Sequence, residues 1–171
     1  MKKIFIVNGY PLAGKDTFMD YCLTYLTLEN RKGTKYSSID KIKEAAGYIG
    51  WPGTKTELDR NFLSNLKDLA TQTYNFSFYD MVSFCNLSDA EYFFFAVREP
   101  EEIRKLVEHF SSRKSFYIVK TILISREGSL TNLTNTGDSL VNDFIYDVEI
   151  QNNFSLRDLK EHSNTFIKSL L

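Results

Sequence analysis

The stretch that most constrains this chain is residues 4–18, where an apolar run leads into two glycines and a lysine. Ile4 to Val7 are four consecutive apolar residues, a pattern typical of a short strand buried on both faces. Gly9, Gly14 and Lys15 follow with the spacing G-x-x-x-x-G-K. Glycine tolerates positive φ, so the chain can fold back there with its amide groups directed inward. Such amides, together with the positive end of a following helix, form a binding site for an anion.

This pattern predicts a phosphate-binding loop for a nucleotide, with ATP as the expected ligand and Lys15 as the fixed positive charge. The residues expected to surround the phosphates are Gly9, Ala13, Gly14, Lys15, Asp16 and Thr17. In the strict motif a Ser or Thr hydroxyl after the lysine binds Mg²⁺, and Asp16 has that place here. Because a carboxylate is a good Mg²⁺ ligand, Asp16 is the predicted metal ligand. The alternative is a glycine turn that caps an ordinary helix, with Asp16 complementing the helix dipole.

The composition indicates an ordinary globular domain. The chain has 171 residues, of which 43% are apolar and 25% charged, as expected for about one domain with a full core. Its net charge of −1 provides no general attraction to nucleic acid, so a small-molecule nucleotide is the expected partner. No segment has the roughly 18 apolar residues needed to span a membrane, and Asn8 interrupts the N-terminal run too early for a secretory signal. Cys22 and Cys85 lie in apolar surroundings, which favours reduced, structural cysteines in a cytoplasmic protein. The oligomeric state is left open.

Strand-like and helical patterns alternate along the chain. We predict strands at about 4–7, 35–39, 92–97, 116–124 and 145–150, and helices at about 15–29, 41–47, 57–73, 79–87, 100–112 and 155–170. This alternation predicts a three-layer α/β/α fold with a mainly parallel five-stranded sheet. With no repeat and no linker, residues 1–171 are predicted to form a single domain.

Two local predictions concern the first half of the chain. Asp40 is a candidate N-cap for the helix that follows it. In the long helix at about 57–73, the apolar residues expected to face inward are Leu58, Phe62, Leu66 and Leu69.

Charged residues follow several of the predicted strands, and ligands bind at the carboxyl ends of strands in sheets of this kind. Arg98 directly follows the third strand, Arg126 follows the fourth and opens a polar loop, and Asp40 follows the second. Arg60 lies on the long helix. Phosphoryl transfer needs positive charge at the nucleotide, at the acceptor phosphate and at the group in flight, and Lys15 with these arginines could supply it. A solvated surface position is the alternative for each arginine, and a plain helix cap is the alternative for Asp40.

Five segments, taken in order, resemble one known family. They are residues 9–17 with the unusual ending Gly-Lys-Asp-Thr, then 38–46, 59–63, 97–102, and 146–153 followed by 155–159. Together they are similar to the deoxynucleoside monophosphate kinase group of the P-loop kinase superfamily. The last segment is also similar to dephospho-coenzyme A kinase. The resemblance spans nearly the whole chain.

The resemblance implies ATP as the phosphoryl donor, Mg²⁺ as the metal, and a nucleoside or deoxynucleoside monophosphate as the acceptor. Lys15 would hold the donor phosphates, and Arg126 would be the lid arginine over the transferred group. Arg60 and Arg98 would bind the acceptor phosphate, with Asp40 on the same side. Lys15, Arg98 and Arg126 are therefore the implied catalytic residues.

The same resemblance implies acceptor-side helices at about 40–75 and a short lid at about 126–143. One position departs from the family pattern: Ala96 stands where an Asp is common, two residues before Arg98. The absence of this Asp leaves metal binding to Asp16 or Glu102, or lowers activity. Two other functions stay open. One is a kinase for another phosphorylated acceptor, of the dephospho-coenzyme A or phosphomevalonate type, and the other is a nucleotide-binding protein without turnover.

Overall fold

A computed structural model of the chain describes residues 1–129 and 140–171. Its strands are β1 (Lys2–Asn8), β2 (Gly33–Ser37), β3 (Tyr92–Ala96), β4 (Tyr117–Ser125) and β5 (Val148–Gln151). The helices in the described part are α1 (Lys15–Leu28), α2 (Asp40–Tyr48), α3 (Glu57–Tyr74), α4 (Phe76–Leu87), α5 (Pro100–Ser111) and α6 (Leu156–Lys168). None of these described helices is long and apolar enough to cross a membrane.

The strands form one sheet in the order β2-β3-β1-β4-β5. All four neighbouring pairs are parallel, so β1 lies at the centre with β3 on one side and β4 on the other. Val7 of β1 is in register with Ala96, and Asn8 is in register with Leu123. The carboxyl ends of all strands therefore lie along one edge of the sheet.

Helices cover both faces of the sheet because the residues of β1 alternate between two apolar cores. Phe5 and Val7 pack in one core, whose helical members come from α1 and α6. Ile4 and Ile6 pack in the other core, which is closed by α4 and α5. A strand buried on both faces reads as a continuous apolar run, as observed here. The predicted three-layer α/β/α fold with a five-stranded sheet is confirmed.

The predicted inward face of α3 was wrong at Leu58, Phe62 and Leu69, which are exposed, and right at Leu66, which is partly buried and packs against the cluster between α2 and α3. Leu58 and Leu69 are 79% and 65% exposed, whereas the buried residues of this helix are Asp59, Leu63 and Lys67. These three residues are four apart and therefore share one face of the helix. Leu63 packs with Ile42 and Ala46 of α2, and the partly buried Leu66 and Ala70 pack against the same cluster. The apolar pattern therefore found only part of the inward face.

Smaller corrections concern element boundaries. The second strand ends at Ser37 instead of residue 39, α4 begins at Phe76 instead of residue 79, and β5 begins at Val148 instead of residue 145. Ile39 occupies the N-cap position of α2, so the prediction of a cap at Asp40 was also wrong. Asp40 instead closes the preceding turn, where its Oδ2 accepts a hydrogen bond from the Ser37 amide at 2.8 Å.

Both cysteines are buried and free of disulfide bonds, as predicted. Burial raises the pKa of both the Cys22 and the Cys85 thiol, which keeps them protonated. The proposed lid at about 126–143 extends over residues 130–139, which lie outside the described part of the chain.

Candidate active site

The loop between β1 and α1 depends on its two glycines. Gly9 has φ +149°, and a Cβ there would lie 2.2 Å from the backbone oxygen of Ile124. Gly14 has φ +99°, and a Cβ there would lie 2.4 Å from Nδ2 of Asn152. A side chain at either position is therefore both strained and blocked. Leu12, between them, also has positive φ, at 63°. The loop folds back tightly over the end of β1, as the motif predicts.

Lys15 begins α1 and turns its side chain into the loop. Its ammonium donates hydrogen bonds to the backbone oxygens of Gly9 and of Tyr10, the latter at 2.8 Å. Asp16 is exposed in the first turn of α1, and Thr17 beside it is partly buried. The N-terminus of α1 thus combines a lysine charge, the amides of the first helical turn and one exposed carboxylate. This arrangement suits a phosphate group that is accompanied by a cation.

Asn152, just after β5, binds the backbone of the loop between β1 and α1. It is 7% exposed, and its Nδ2 donates to the Ala13 oxygen at 2.9 Å. Its backbone amide donates to the Ser125 oxygen at 2.7 Å, which also ties it to the end of β4. The sequence analysis placed Asn152 in a family-like segment but assigned it no role. Its contact with a residue 139 positions away has no local signal in the sequence.

The sheet order arranges the predicted charged residues along one edge. Asp40 follows β2, Arg98 follows β3, the phosphate-binding loop with Lys15 follows β1, and Arg126 follows β4. Because β1 is flanked by β3 and β4, the loop lies between the strand ends that carry Arg98 and Arg126. The fold therefore brings three of the predicted cations to neighbouring strand ends.

Arg98 and Arg126 differ in their surroundings. Arg98 is partly buried, and its backbone oxygen accepts a hydrogen bond from the Asn8 side chain at 3.0 Å. Arg126 is exposed, and its backbone oxygen closes a turn by accepting from the Ser129 amide at 3.2 Å. Arg98 is thus held by the sheet edge, whereas Arg126 begins the segment predicted to form the lid.

Arg60 lies on α3, where it is exposed in the first turns. Its neighbour Asp59 is buried and accepts hydrogen bonds from the Thr56 amide at 2.9 Å and from Nε1 of Trp51 at 3.1 Å. Hydrogen bonds from Thr54 and Thr56 hold the pKa of Asp59 below its usual range, so it stays ionised and bonded. Asp59 therefore fixes the loop 51–56 against the start of α3, which sets the position of Arg60.

A buried ionic cluster joins α3 to the start of α5. Lys67 of α3 is 5% exposed, and its ammonium contacts Oε2 of Glu99 and lies 3.3 Å from Oε2 of Glu102. Burial opposes ionisation of Glu99, but the charge and hydrogen bond of Lys67, together with a backbone hydrogen bond and the Arg98 charge, outweigh it and hold the pKa of Glu99 below its ordinary value. Burial, with the Glu99 charge adding to it, raises the pKa of Glu102. The three side chains line a cavity of about 400 Å³ between the two helices.

The sequence analysis missed Lys67, although one signal was present. Lys67 stands four residues after the apolar Leu63, so it shares the inward face of α3. A lysine on an inward face predicts a buried carboxylate partner, because an unpaired buried ammonium is too costly.

The described part of the site offers few ligands for a magnesium ion. The described residues hold no cluster of three or more histidine, cysteine or carboxylate side chains suited to a metal. Asp16 is a single exposed carboxylate next to the loop, and Mg²⁺ is often held by one or two carboxylates together with substrate phosphates and water. Glu102, the other candidate, is turned against Lys67 instead of toward the loop.

Comparisons with known proteins identify the type of fold. No family model matches the chain, and no curated protein matches it in sequence. Among solved structures, it is similar to the Mycobacterium tuberculosis APS kinase CysC in complex with AMPPNP and APS, with a TM-score of 0.55. The two chains are 10% identical over 99% of this chain and 97% of that one. This chain has the P-loop kinase fold.

Two further structures agree with this assignment. A mutant of the same APS kinase matches with a TM-score of 0.53 at 10% identity, over 98% of this chain and 97% of that chain. A provisionally assigned kinase of Chloroflexus aurantiacus matches with a TM-score of 0.54 at 12% identity, over 98% and 97% of the two chains. At such identities the likeness extends to the P-loop kinase fold, and the choice of substrate has to be argued from the site itself.

Proposed function

We propose that the protein transfers a phosphoryl group from ATP to a nucleoside or deoxynucleoside monophosphate. The observation that carries the proposal is the position of the phosphate-binding loop between the strand ends that bear Arg98 and Arg126. A kinase of this kind needs cations on both sides of the transferred group, whereas simple nucleotide binding needs only the loop. The similar APS kinase holds AMPPNP together with a second nucleotide, APS, which fits the same division into donor and acceptor.

In this proposal each cation has its own part. Lys15 and the loop amides bind the donor phosphates, and Arg98 with Arg60 binds the acceptor phosphate. Arg126 neutralises negative charge on the phosphoryl group during transfer. Asp40 lies beyond Arg98 along the sheet edge and contributes to the acceptor side. Mg²⁺ would be held by Asp16 and would neutralise phosphate charge.

The test is a coupled ADP-release assay over the common nucleoside and deoxynucleoside monophosphates. It is paired with thermal shifts of the protein by each nucleotide, with and without Mg²⁺. Turnover of one monophosphate, with selective stabilisation by the same compound, is the expected result. ATP binding without turnover of any monophosphate contradicts the proposal. The assay is then repeated with dephospho-coenzyme A and phosphomevalonate, and failure there as well indicates a non-catalytic nucleotide-binding protein.

Lys15→Ala is expected to weaken ATP binding by at least about tenfold, because a charge-assisted contact is worth roughly 1.5–3 kcal/mol. Isothermal titration calorimetry measures the change. Lys160→Ala, which removes an exposed lysine on α6, is the control and should bind ATP like the parent. Equal ATP affinity of Lys15→Ala and the parent would show that the loop does not hold the donor phosphates.

Asp16→Asn is expected to make ATP binding less dependent on Mg²⁺. In EDTA the Asp16 carboxylate repels the phosphates, so its removal should strengthen ATP binding by about two- to fivefold, as for an exposed charge pair. With Mg²⁺ the same variant should bind ATP more weakly than the parent. Asp20→Asn is the matched control, because Asp20 is exposed on the same helix and pairs with Lys35 at 2.6 Å. No difference in EDTA between Asp16→Asn and the parent counts against the metal role.

A further inference from the structure

Asn8, the last residue of β1, is fully buried and bonded on three sides. Its Oδ1 accepts from the Gly9 amide at 2.7 Å. Its Nδ2 donates to the backbone oxygen of Arg98 at 3.0 Å and to Oη of Tyr146 at 2.7 Å. Both hydrogens of the amide are therefore used, and the side chain can adopt only this orientation.

Tyr146 completes the chain of hydrogen bonds. Its hydroxyl accepts from Asn8 and donates to the backbone oxygen of Val141 at 2.9 Å. Val141 is fully buried, and the Tyr146 ring packs against Phe144 with the ring centroids 5.0 Å apart. Burial raises the pKa of Tyr146 to about 12, so the hydroxyl keeps its proton at neutral pH and remains a donor.

We propose that Tyr146 is a positioning residue which, through Asn8, fixes the start of the phosphate-binding loop relative to the backbone of Arg98. One side chain, Asn8, holds both the Gly9 amide and the Arg98 carbonyl, so the donor and acceptor sides share one anchor. The assignment of those sides rests on the proposed function, whereas the anchor is defined by the contacts themselves.

Such an anchor matters because phosphoryl transfer depends mainly on the relative placement of the two phosphates. A fully satisfied buried network is rigid, and it loosens when one member loses its partner. Without the Tyr146 hydroxyl, one Asn8 hydrogen and the Val141 carbonyl lose their bond. Asn8 is then free to turn, and both the Gly9 amide and the Arg98 carbonyl lose a fixed partner.

The test compares Tyr146→Phe with Tyr117→Phe in the full chain. Tyr117 is a matched control, because its hydroxyl also bonds an asparagine, Asn86, at 3.2 Å, and it lies at the amino end of β4, away from the loop. Amide hydrogen exchange at Gly9 and the carbonyl carbon shift of Arg98 are measured by NMR in both variants and in the parent. Tyr146→Phe should speed exchange at Gly9 by about tenfold and shift the Arg98 carbonyl, and Tyr117→Phe should change neither. The same exchange rate at Gly9 in both variants overturns the inference.

The kinetic readout separates positioning from simple stability. With the acceptor found by the coupled assay, Tyr146→Phe should lower kcat by about tenfold and weaken ATP binding by no more than about threefold, at a temperature where both variants are folded. An unchanged kcat despite faster exchange at Gly9 overturns the positioning role. If the parent turns over no acceptor, the proposed function fails, and the NMR comparison alone decides whether Tyr146 and Asn8 anchor the loop.

Discussion

Replacing Arg126 by alanine is expected to lower kcat by at least about 10³-fold while ATP binding stays within about threefold of the parent. The reason is that Arg126 is proposed to neutralise charge that develops on the phosphoryl group only during transfer. A contact made mainly in the transition state affects kcat and leaves ground-state binding nearly unchanged. Arg126 is exposed and directly follows β4, the strand beside β1, from which the loop begins.

The measurements are kcat from the coupled ADP-release assay and the ATP dissociation constant from calorimetry. Arg157→Ala is the matched control, because the Arg157 side chain is 87% exposed on α6 and pairs with Glu161 in the same helix at 3.2 Å. Arg126→Lys should recover only part of the rate, since a lysine keeps the charge but lacks the planar fork of donors. Turnover by Arg126→Ala at the parent rate would leave the kinase proposal standing and remove Arg126 from it.

The other two arginines should behave differently from Arg126. Arg60→Ala and Arg98→Ala are expected to raise the KM for the acceptor more than they lower kcat, because the acceptor phosphate is charged before, during and after transfer. This contrast between effects on KM and on kcat distinguishes binding of the acceptor phosphate from stabilisation of the phosphoryl group during transfer.

The sheet could be predicted from the sequence because each strand carries its own local signal. The run Ile4 to Val7 is apolar at every position, as expected of a strand buried on both faces, and the turn residues that follow it are too close for a helix. The loop was equally predictable, since Gly9 and Gly14 stand where a Cβ would meet other atoms at 2.2 and 2.4 Å. In both cases the residue type follows directly from the local structure: burial on both faces requires apolar residues, and the lack of space for a Cβ requires glycine.

The parts that failed depend on partners far away in the chain. In α3 the inward face holds Asp59 and Lys67, whose burial is possible only because of hydrogen bonds from residues 51–56 and carboxylates in the Glu99–Glu102 region. Apolar periodicity carries no information about such partners, so of the four residues that it selected, Leu58, Phe62, Leu66 and Leu69, only Leu66 packs inward. The anchor formed by Asn8 and Tyr146 joins residues 138 positions apart, and either residue alone looks like an ordinary strand or loop residue.

The ionic cluster of Lys67, Glu99 and Glu102 leads to the second large prediction, which concerns stability and is independent of the proposed function. Lys67→Met keeps the length of the side chain and removes its charge, which leaves two carboxylates facing each other between α3 and α5. Breaking a buried ion pair costs roughly 3–5 kcal/mol. The lower end, about 3 kcal/mol, is expected because the Glu99 side chain remains 31% exposed and keeps part of its hydration.

The loss of stability should depend on pH in a definite direction. In the parent, the lowered pKa of Glu99 contributes stability above the ordinary glutamate range, and this is lost as the pH falls through its folded pKa. Glu102, whose pKa is raised, opposes folding once the pH rises above its unfolded pKa. Without Lys67 both pKa values rise, so both carboxyls oppose folding when ionised. The difference between parent and variant is therefore largest near pH 7–8 and shrinks as the pH falls toward about 4.

Urea unfolding of both proteins at pH 7.5 and pH 4.5 measures this difference. Lys41→Met is the matched control, because Lys41 forms an exposed ion pair with Glu44 at 2.9 Å and should change the free energy of unfolding by less than about 0.5 kcal/mol at either pH. The double variant Lys67→Met, Glu102→Leu should recover part of the loss at pH 7.5, since one uncompensated carboxylate is gone. A Lys67→Met protein as stable as the parent at pH 7.5 would mean that the cluster does not hold α3 against the start of α5. The start of α3, with Arg60, would then have to be positioned by the Asp59 hydrogen bonds and by the packing of Leu63 against α2.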